Sequence, residues 1–175
     1  GEPYRTSLLE SFDLMVKGDR LDGDNQYFCE KCQRKVDAVK RTCIKAPPNT
    51  LVLHIKRFDF DYTTFERIKI NDRYAFPREL DLYPYSSEYF TNPRPTDEYK
   101  YRLAGVLVHL GSLDSGHYYS YIKEQESGDE WFCFNDTCID KFNPEHIEQC
   151  CFGGDESGAA SKRFSAYLLF YEKVI

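Results

Sequence analysis

An α+β fold dominated by an antiparallel sheet, with short helices, is what the sequence predicts, and three features predict it. Residues 7–17 repeat apolar side chains at three- and four-residue intervals. Six later stretches alternate apolar and polar residues with period two. A chain of 175 residues that is 41% hydrophobic and 16% aromatic has enough apolar material to fill one real core.

The elements follow in chain order. Leu8, Leu9, Phe12, Met15 and Val16 share one face of a helix over residues 7–17. Ser7 and Glu10 fit a capping box at its start, and Gly18 suits a left-handed cap at its end. Asp22-Gly23-Asp24-Asn25 reads as a turn leading into Tyr27-Phe28-Cys29-Glu30-Lys31-Cys32. Strands are predicted over residues 38–44, 51–58, 103–110, 117–123, 130–134 and 164–172. Asn143-Pro144 starts a short helix that runs through Ile147 and stops near Gly153-Gly154. The stretch 83–100, with Pro84, Pro93 and Pro95, is the longest predicted loop, where Tyr85, Tyr89 and Phe90 are available either for a partner or for packing.

Charge and cysteine usage exclude several function classes. Lys plus Arg total 23 against 29 Asp plus Glu, a net charge of -6, the wrong sign for a protein that grips phosphate backbones. The basic run 31–41 is therefore read as a solvated strand or turn face, and no nucleic-acid partner is expected. No window reaches the roughly 18 to 20 uncharged apolar residues of a membrane span, and no charged-then-apolar leader opens the sequence, so neither a membrane nor secretion is expected. Seven cysteines, an odd number, read as reduced thiols, metal ligands or catalytic groups in a cytoplasmic setting, with the nucleus also open.

The chemistry-bearing residues cluster in the second half. Gly116-His117-Tyr118-Tyr119-Ser120-Tyr121 precedes Asn135-Asp136, with His117 eighteen residues before Asn135. If residues 117–123 and 130–134 form a hairpin centred on residue 126, within Glu126-Ser127-Gly128-Asp129, His117 and Asn135 lie opposite each other on one face, about 5 Å apart. An amide oxygen there can accept one imidazole proton and aim the other ring nitrogen at a reaction centre, as in a Cys-His-Asn triad. Strand alternation sends Asp136 to the opposite face, so Asn135 is the favoured orienter. Taken alone, a histidine in an aromatic strand is more often a packing residue. Cys29 and Cys32 form a CxxC, which supplies two of the four ligands of tetrahedral zinc; a redox pair or two inert thiols are the alternatives. His54, His109 and His146 have no ligand pattern around them and are read as structural.

Several ordered segments resemble the ubiquitin-specific proteases. Tyr101-Arg102-Leu103-Ala104-Gly105-Val106-Leu107-Val108-His109, Gly116 to Tyr121 and Trp131-Phe132-Cys133-Phe134-Asn135-Asp136 are similar to that family's histidine box. Leu53-His54-Ile55-Lys56-Arg57-Phe58, Lys69-Ile70-Asn71-Asp72, Phe76-Pro77 and Ala166-Tyr167-Leu168-Leu169-Phe170-Tyr171 extend the match from about Ser7 to the end. Gly18-Asp19, Phe76-Pro77-Arg78-Glu79-Leu80 and Cys151-Phe152-Gly153-Gly154 resemble the large fat-facets-like branch.

The resemblance implies a papain-like cysteine peptidase fold of palm and fingers, with residues 19–45 as a fingers portion and 46–175 as palm. It implies a deubiquitinating thiol hydrolase acting after the C-terminal glycine of ubiquitin, with ubiquitin and ubiquitinated proteins as partners. His117 matches the general base, Asn135 the third triad member and Asp136 an adjacent assisting acid. Ser115, Gly116 and Tyr118 match substrate-binding positions, and the loop 111–115 is expected over the diglycine tail, an ordinary hairpin connection being the alternative. Cys29 and Cys32 match half of a structural zinc site. The family's Asn-Thr-Cys-Tyr type nucleophile box occurs nowhere in the 175 residues. The expectation is therefore the C-terminal part of a catalytic domain, lacking the cysteine-box lobe and inactive alone; the alternative is a catalytically inactive ubiquitin-binding or scaffold module. A zinc-ribbon nucleic-acid binder would need a second CxxC and a basic surface, and neither is present.

Overall fold

The computed structural model describes residues 5–124, 128–154 and 164–174. Helix α1 (Leu8–Lys17) buries Leu8, Phe12 and Val16 with Met15 packed against the core, whereas Leu9, expected on that face, is exposed. Ser7 Oγ accepts the Glu10 amide, as the capping motif predicts, but the Glu10 carboxylate reaches one residue further back, to the Thr6 amide and hydroxyl. Those bonds hold its pKa below the ordinary carboxylate value.

Four short strands follow: β1 (Asp19–Leu21), β2 (Tyr27–Cys29), β3 (Arg34–Val36) and β4 (Ala38–Lys40). They pair as two small antiparallel ribbons, β1 with β4 and β2 with β3, and no residue in them is buried. The strand predicted over 38–44 thus ends early at Lys40. The one predicted over 51–58 divides into β5 (Thr50–His54) and β6 (Phe58–Asp61), because β6 leaves the main sheet to form a separate hairpin with β7 (Glu66–Lys69).

The main sheet contains β5, β8 (Glu79–Asp81), β9 (Lys100–Gly111), β10 (Gly116–Lys123), β11 (Trp131–Asn135), β12 (Cys138–Phe142) and β13 (Phe164–Lys173). Its order is β12-β11-β10-β9-β13-β5, with β8 also on β9, and every pairing is antiparallel. Tyr101, Leu103, Val106 and Val108 of β9 are all buried although Leu103 and Val106 are an odd number of residues apart. The β9–β13 register shifts between the Gly105–Phe170 and Leu103–Tyr171 pairs, and that bulge restores the inward face. Leu169 and Tyr171 of β13 complete this core face, onto which Phe76, Leu82, Ile147, Cys151 and Phe152 pack.

The predicted loop over 83–100 is partly ordered by local hydrogen bonds. Residues Tyr83–Tyr85 form a 3-10 turn, Ser86 caps helix α2 (Ser87–Thr91), and Tyr85 is buried against Phe12 with ring centroids 5.0 Å apart. Tyr85 is therefore core, whereas Tyr89 and Phe90 remain exposed. Asn143 caps the turn that leads into helix α3 (Ile147–Cys151), as its sequence predicts.

One buried cation joins this core to the β6–β7 hairpin. Arg57, 2% exposed, donates to the carbonyls of Ala166, Phe152 and Asp72 at 3.1, 3.1 and 2.6 Å, and to that of Ile70 at 3.5 Å. Burial pulls its pKa down to about 10, so it stays charged at neutral pH. A guanidinium suits this place because its planar fork serves several acceptors at once. Truncating it strands buried carbonyls that no apolar side chain can satisfy. Arg57→Met is expected to cost about 3 kcal/mol of stability; a loss below about 1 kcal/mol in chemical denaturation would contradict the role given to it here.

Candidate active site

The site lies where β10 emerges from the sheet. His117 pairs with Leu110 of β9, so its side chain shares the face of Tyr119 and Tyr121, at the open end of the core. On the other side β10 pairs with β11 in the register Ser120–Phe134, Tyr121–Cys133, Ile122–Phe132 and Lys123–Trp131. Extending that register puts Asn135 across from Tyr119, two residues from where a hairpin centred on residue 126 would put it. Glu126 and Ser127 of the expected turn lie outside the described residues. A displacement of two keeps the face, whereas a displacement of one would have reversed it. His117 and Asn135 are thus diagonal neighbours, and their side chains close the gap: His117 Nε2 is 2.6 Å from Asn135 Oδ1.

That bond fixes chemistry as well as position. Amide oxygen only accepts, so Nε2 carries the proton and Nδ1 holds its lone pair free to act as a base. The imidazole is 40% exposed, accessible to a group approaching from outside the described residues. Asp136 departs from the expectation. Strand β11 ends at Asn135, which pairs with Cys138 around the two-residue turn Asp136-Thr137, and Asp136 has φ of +52°. Alternation therefore no longer applies, and Asp136 Oδ2 lies 3.9 Å from His117 Nε2 on the same side. At 78% exposure it offers a solvent-screened charge beside the ring.

Gly116 and Tyr118, but not Ser115, line a second feature, a groove of about 760 Å³ between the β6–β7 hairpin and the loop joining β9 to β10. His109, buried at 3% exposure, forms its wall with Phe58 and Tyr118, ring centroids 5.2 and 4.9 Å away. Burial, assisted by the Lys69 charge, pushes the His109 pKa down, which keeps the ring neutral. A β-carbon on Gly116 would collide with His109 Nε2, so the ring lies against this backbone only because position 116 has no side chain. Ser115 belongs to the turn at the rim, where its carbonyl accepts the Ser112 amide at 2.8 Å. Sequence reasoning gave His109 a structural role and overlooked Phe58 and Tyr167 as groove residues. The signal available was the parity of His109, which faces away from Val106 and Val108 in the same strand yet sits among apolar residues. His54 packs edge-on against Tyr167 from an exposed strand, and His146 lies exposed in the turn before α3.

Cys29 and Cys32 close the β2–β3 ribbon, with Gln33 at φ of +52° completing its turn. The Cys32 amide and thiol and the Lys31 amide lower the Cys29 pKa by hydrogen bonding to its sulfur. Such bonds favour the thiolate over the thiol, and the thiolate is the form that ligates metal. Among the described residues no group of three or more His, Cys, Asp or Glu side chains gathers, so Cys29 and Cys32 stand as a pair with no further candidate ligand beside them.

A family model described as ubiquitin carboxyl-terminal hydrolase matches residues 19–171. The chain belongs to the ubiquitin carboxyl-terminal hydrolase family. It is 39% identical over 208 residues to mouse ubiquitin carboxyl-terminal hydrolase 9Y and 37% identical over 206 residues to human ubiquitin carboxyl-terminal hydrolase 24, each alignment covering 96% of this chain and 8% of the relative. Drosophila melanogaster ubiquitin carboxyl-terminal hydrolase 47 is 32% identical over 234 residues, covering 96% of the chain and 15% of the relative. The chain thus spans a small fraction of the curated relatives' length, and matches spread over several members fix the family rather than a branch. Among solved structures, the SAGA Ubp8/Sgf11/Sus1/Sgf73 DUB module bound to ubiquitin aldehyde is similar with a TM-score of 0.71 at 29% identity, over 98% of this chain and 34% of that one. The yeast SAGA DUBm is similar with a TM-score of 0.67 at 30% identity, over 98% and 33%. The architecture is the papain-like α+β fold of this family, mostly antiparallel sheet with few short helices.

Proposed function

We propose that this chain supplies the base and its brace to a deubiquitinating thiol hydrolase, which cleaves the isopeptide bond after the C-terminal glycine of ubiquitin. The observation that carries the reading is the 2.6 Å contact between His117 Nε2 and Asn135 Oδ1, which leaves Nδ1 as the free base. Membership of the family supports it, as does the likeness to a DUB module bound to ubiquitin aldehyde.

In the proposed reaction a cysteine thiol gives its proton to His117 Nδ1 and the thiolate attacks the carbonyl carbon of the terminal glycine. The resulting imidazolium then protonates the lysine amine as the C–N bond breaks, leaving a thioester. Water, deprotonated by the same nitrogen, hydrolyses the thioester and restores the thiol. Asn135 holds the ring through both transfers, and Asp136 stands beside it as the adjacent assisting acid. The groove beside Gly116 and Tyr118 takes the narrow diglycine end, with Ser115 at its rim. The 29 acidic residues suit a basic tail.

The nucleophile comes from outside these 175 residues. Burial pushes the Cys133 and Cys151 thiols up, the wrong direction for a nucleophile, and none of the seven cysteines hydrogen-bonds His117 among the described residues. That same observation favours one second reading, a ubiquitin-binding or scaffold module without catalysis. The two separate on activity. A domain joining this chain to a cysteine-box segment is expected to release the fluorophore from a C-terminal ubiquitin amide, while the chain alone does not. His117→Ala in that domain is expected to lower turnover by about 10² to 10⁴ with ubiquitin affinity retained; turnover within threefold of the parent would refute the assignment.

Cys29 and Cys32 are proposed as half of a structural zinc site at the end of the β2–β3 ribbon, in a fingers portion over residues 19–45. Zinc there would crosslink chain segments and take no part in acyl transfer. Elemental analysis of the complete domain is expected to find about one zinc per molecule, lost when both cysteines become serine; a metal-free intact domain would end the proposal.

A further inference from the structure

The ammonium of Lys69, on β7, donates to Gly111 O at 2.8 Å and reaches His109 O at 3.4 Å. These carbonyls flank Leu110, the cross-strand partner of His117. Phe58, paired directly with Lys69 across the β6–β7 hairpin, packs its ring against His109 at 5.2 Å. One cross-strand pair therefore grips the end of β9 twice, by charge on the backbone and by aromatic contact on the side chain. Gly111 needs such a grip. Its φ of +116° lies where L side chains rarely go, and a β-carbon there would stand 2.5 Å from Ser115 O.

We propose that Lys69 is a positioning residue for the base. It ties the β6–β7 hairpin to the turn preceding His117, and so sets the place of the imidazole. The inference rests on the reading of His117 as base, but the tie itself is independent of it. A charge-assisted bond to a carbonyl is stronger than a neutral one, and here it fixes the last residue of β9 before a turn whose internal hydrogen bonds are one at 2.8 Å and two at 3.3 Å. Arginine can reach the same carbonyls, whereas methionine keeps the length and loses the donor.

Two measurements test this. In the 175-residue chain, Lys69→Met is expected to speed amide exchange at residues 112–117 by about tenfold or more while leaving residues 103–108 unchanged. In the domain carrying a nucleophile, the same change is expected to lower kcat about tenfold with KM within about twofold, and Lys69→Arg to restore most of it. Unchanged local exchange, or faster exchange spread evenly through the sheet, overturns the tie. A change in KM alone, or a loss that arginine does not restore, overturns the positioning role. Should Lys69→Met not fold, Lys69→Gln is put through both measurements against the same outcomes. A parent domain that leaves ubiquitin amides intact would defeat the proposed function, while the exchange experiment would still decide the tie.

Discussion

Everything at this site hangs from the register of one strand. Side chains alternate along β10, so pairing it with β9 on one edge and β11 on the other decides which residues share a face. Leu110 opposite His117 and Phe134 opposite Ser120 place the imidazole and the Asn135 amide on one side, within a single hydrogen bond. Neither partner could be moved by one residue without sending its side chain to the other surface. The core enforces this: Tyr121, Trp131 and Val108 are buried on the same face, and a slip would expose all three. The free energy that places the site is therefore mostly that of burying aromatic side chains remote from it.

Arg57 does for the groove what register does for the base. The β6–β7 hairpin belongs to no larger sheet, so its position depends on what its base is tied to. A buried cation that satisfies carbonyls from β13, from the end of α3 and from the 70–72 segment is such a tie. A fixed hairpin gives Phe58 a fixed ring, and that ring forms one wall of the channel beside Gly116.

Much of this was legible in the sequence, for reasons that can be named. The long strands of the sheet are rich in apolar, β-branched and aromatic residues, so β9, β10, β11 and β13 were readable to within a few residues. Residues 19–40 were less so, because three-residue strands in exposed ribbons bury nothing and leave no periodic trace. The division between β5 and β6 was hidden for a different reason: Ile55 continues the alternation of Leu51 and Leu53 past the end of β5, while the backbone changes sheets. The pairing of His117 with Asn135 was read correctly in face and wrongly in register, since counting from a turn cannot fix a hairpin to the residue. Asp136 was placed on the wrong side because its left-handed backbone ends the strand, and an aspartate there gives little warning.

Asn135 fixes the His117 ring with Nε2 protonated and Nδ1 free. Nitrogen-15 chemical shifts of the His117 imidazole, recorded above the range where it is protonated, report the tautomer directly. The expected result is a proton on Nε2 and a lone pair on Nδ1, with that preference weakened in Asn135→Leu. A ring protonated on Nδ1, or one indifferent to the loss of Asn135, would contradict it.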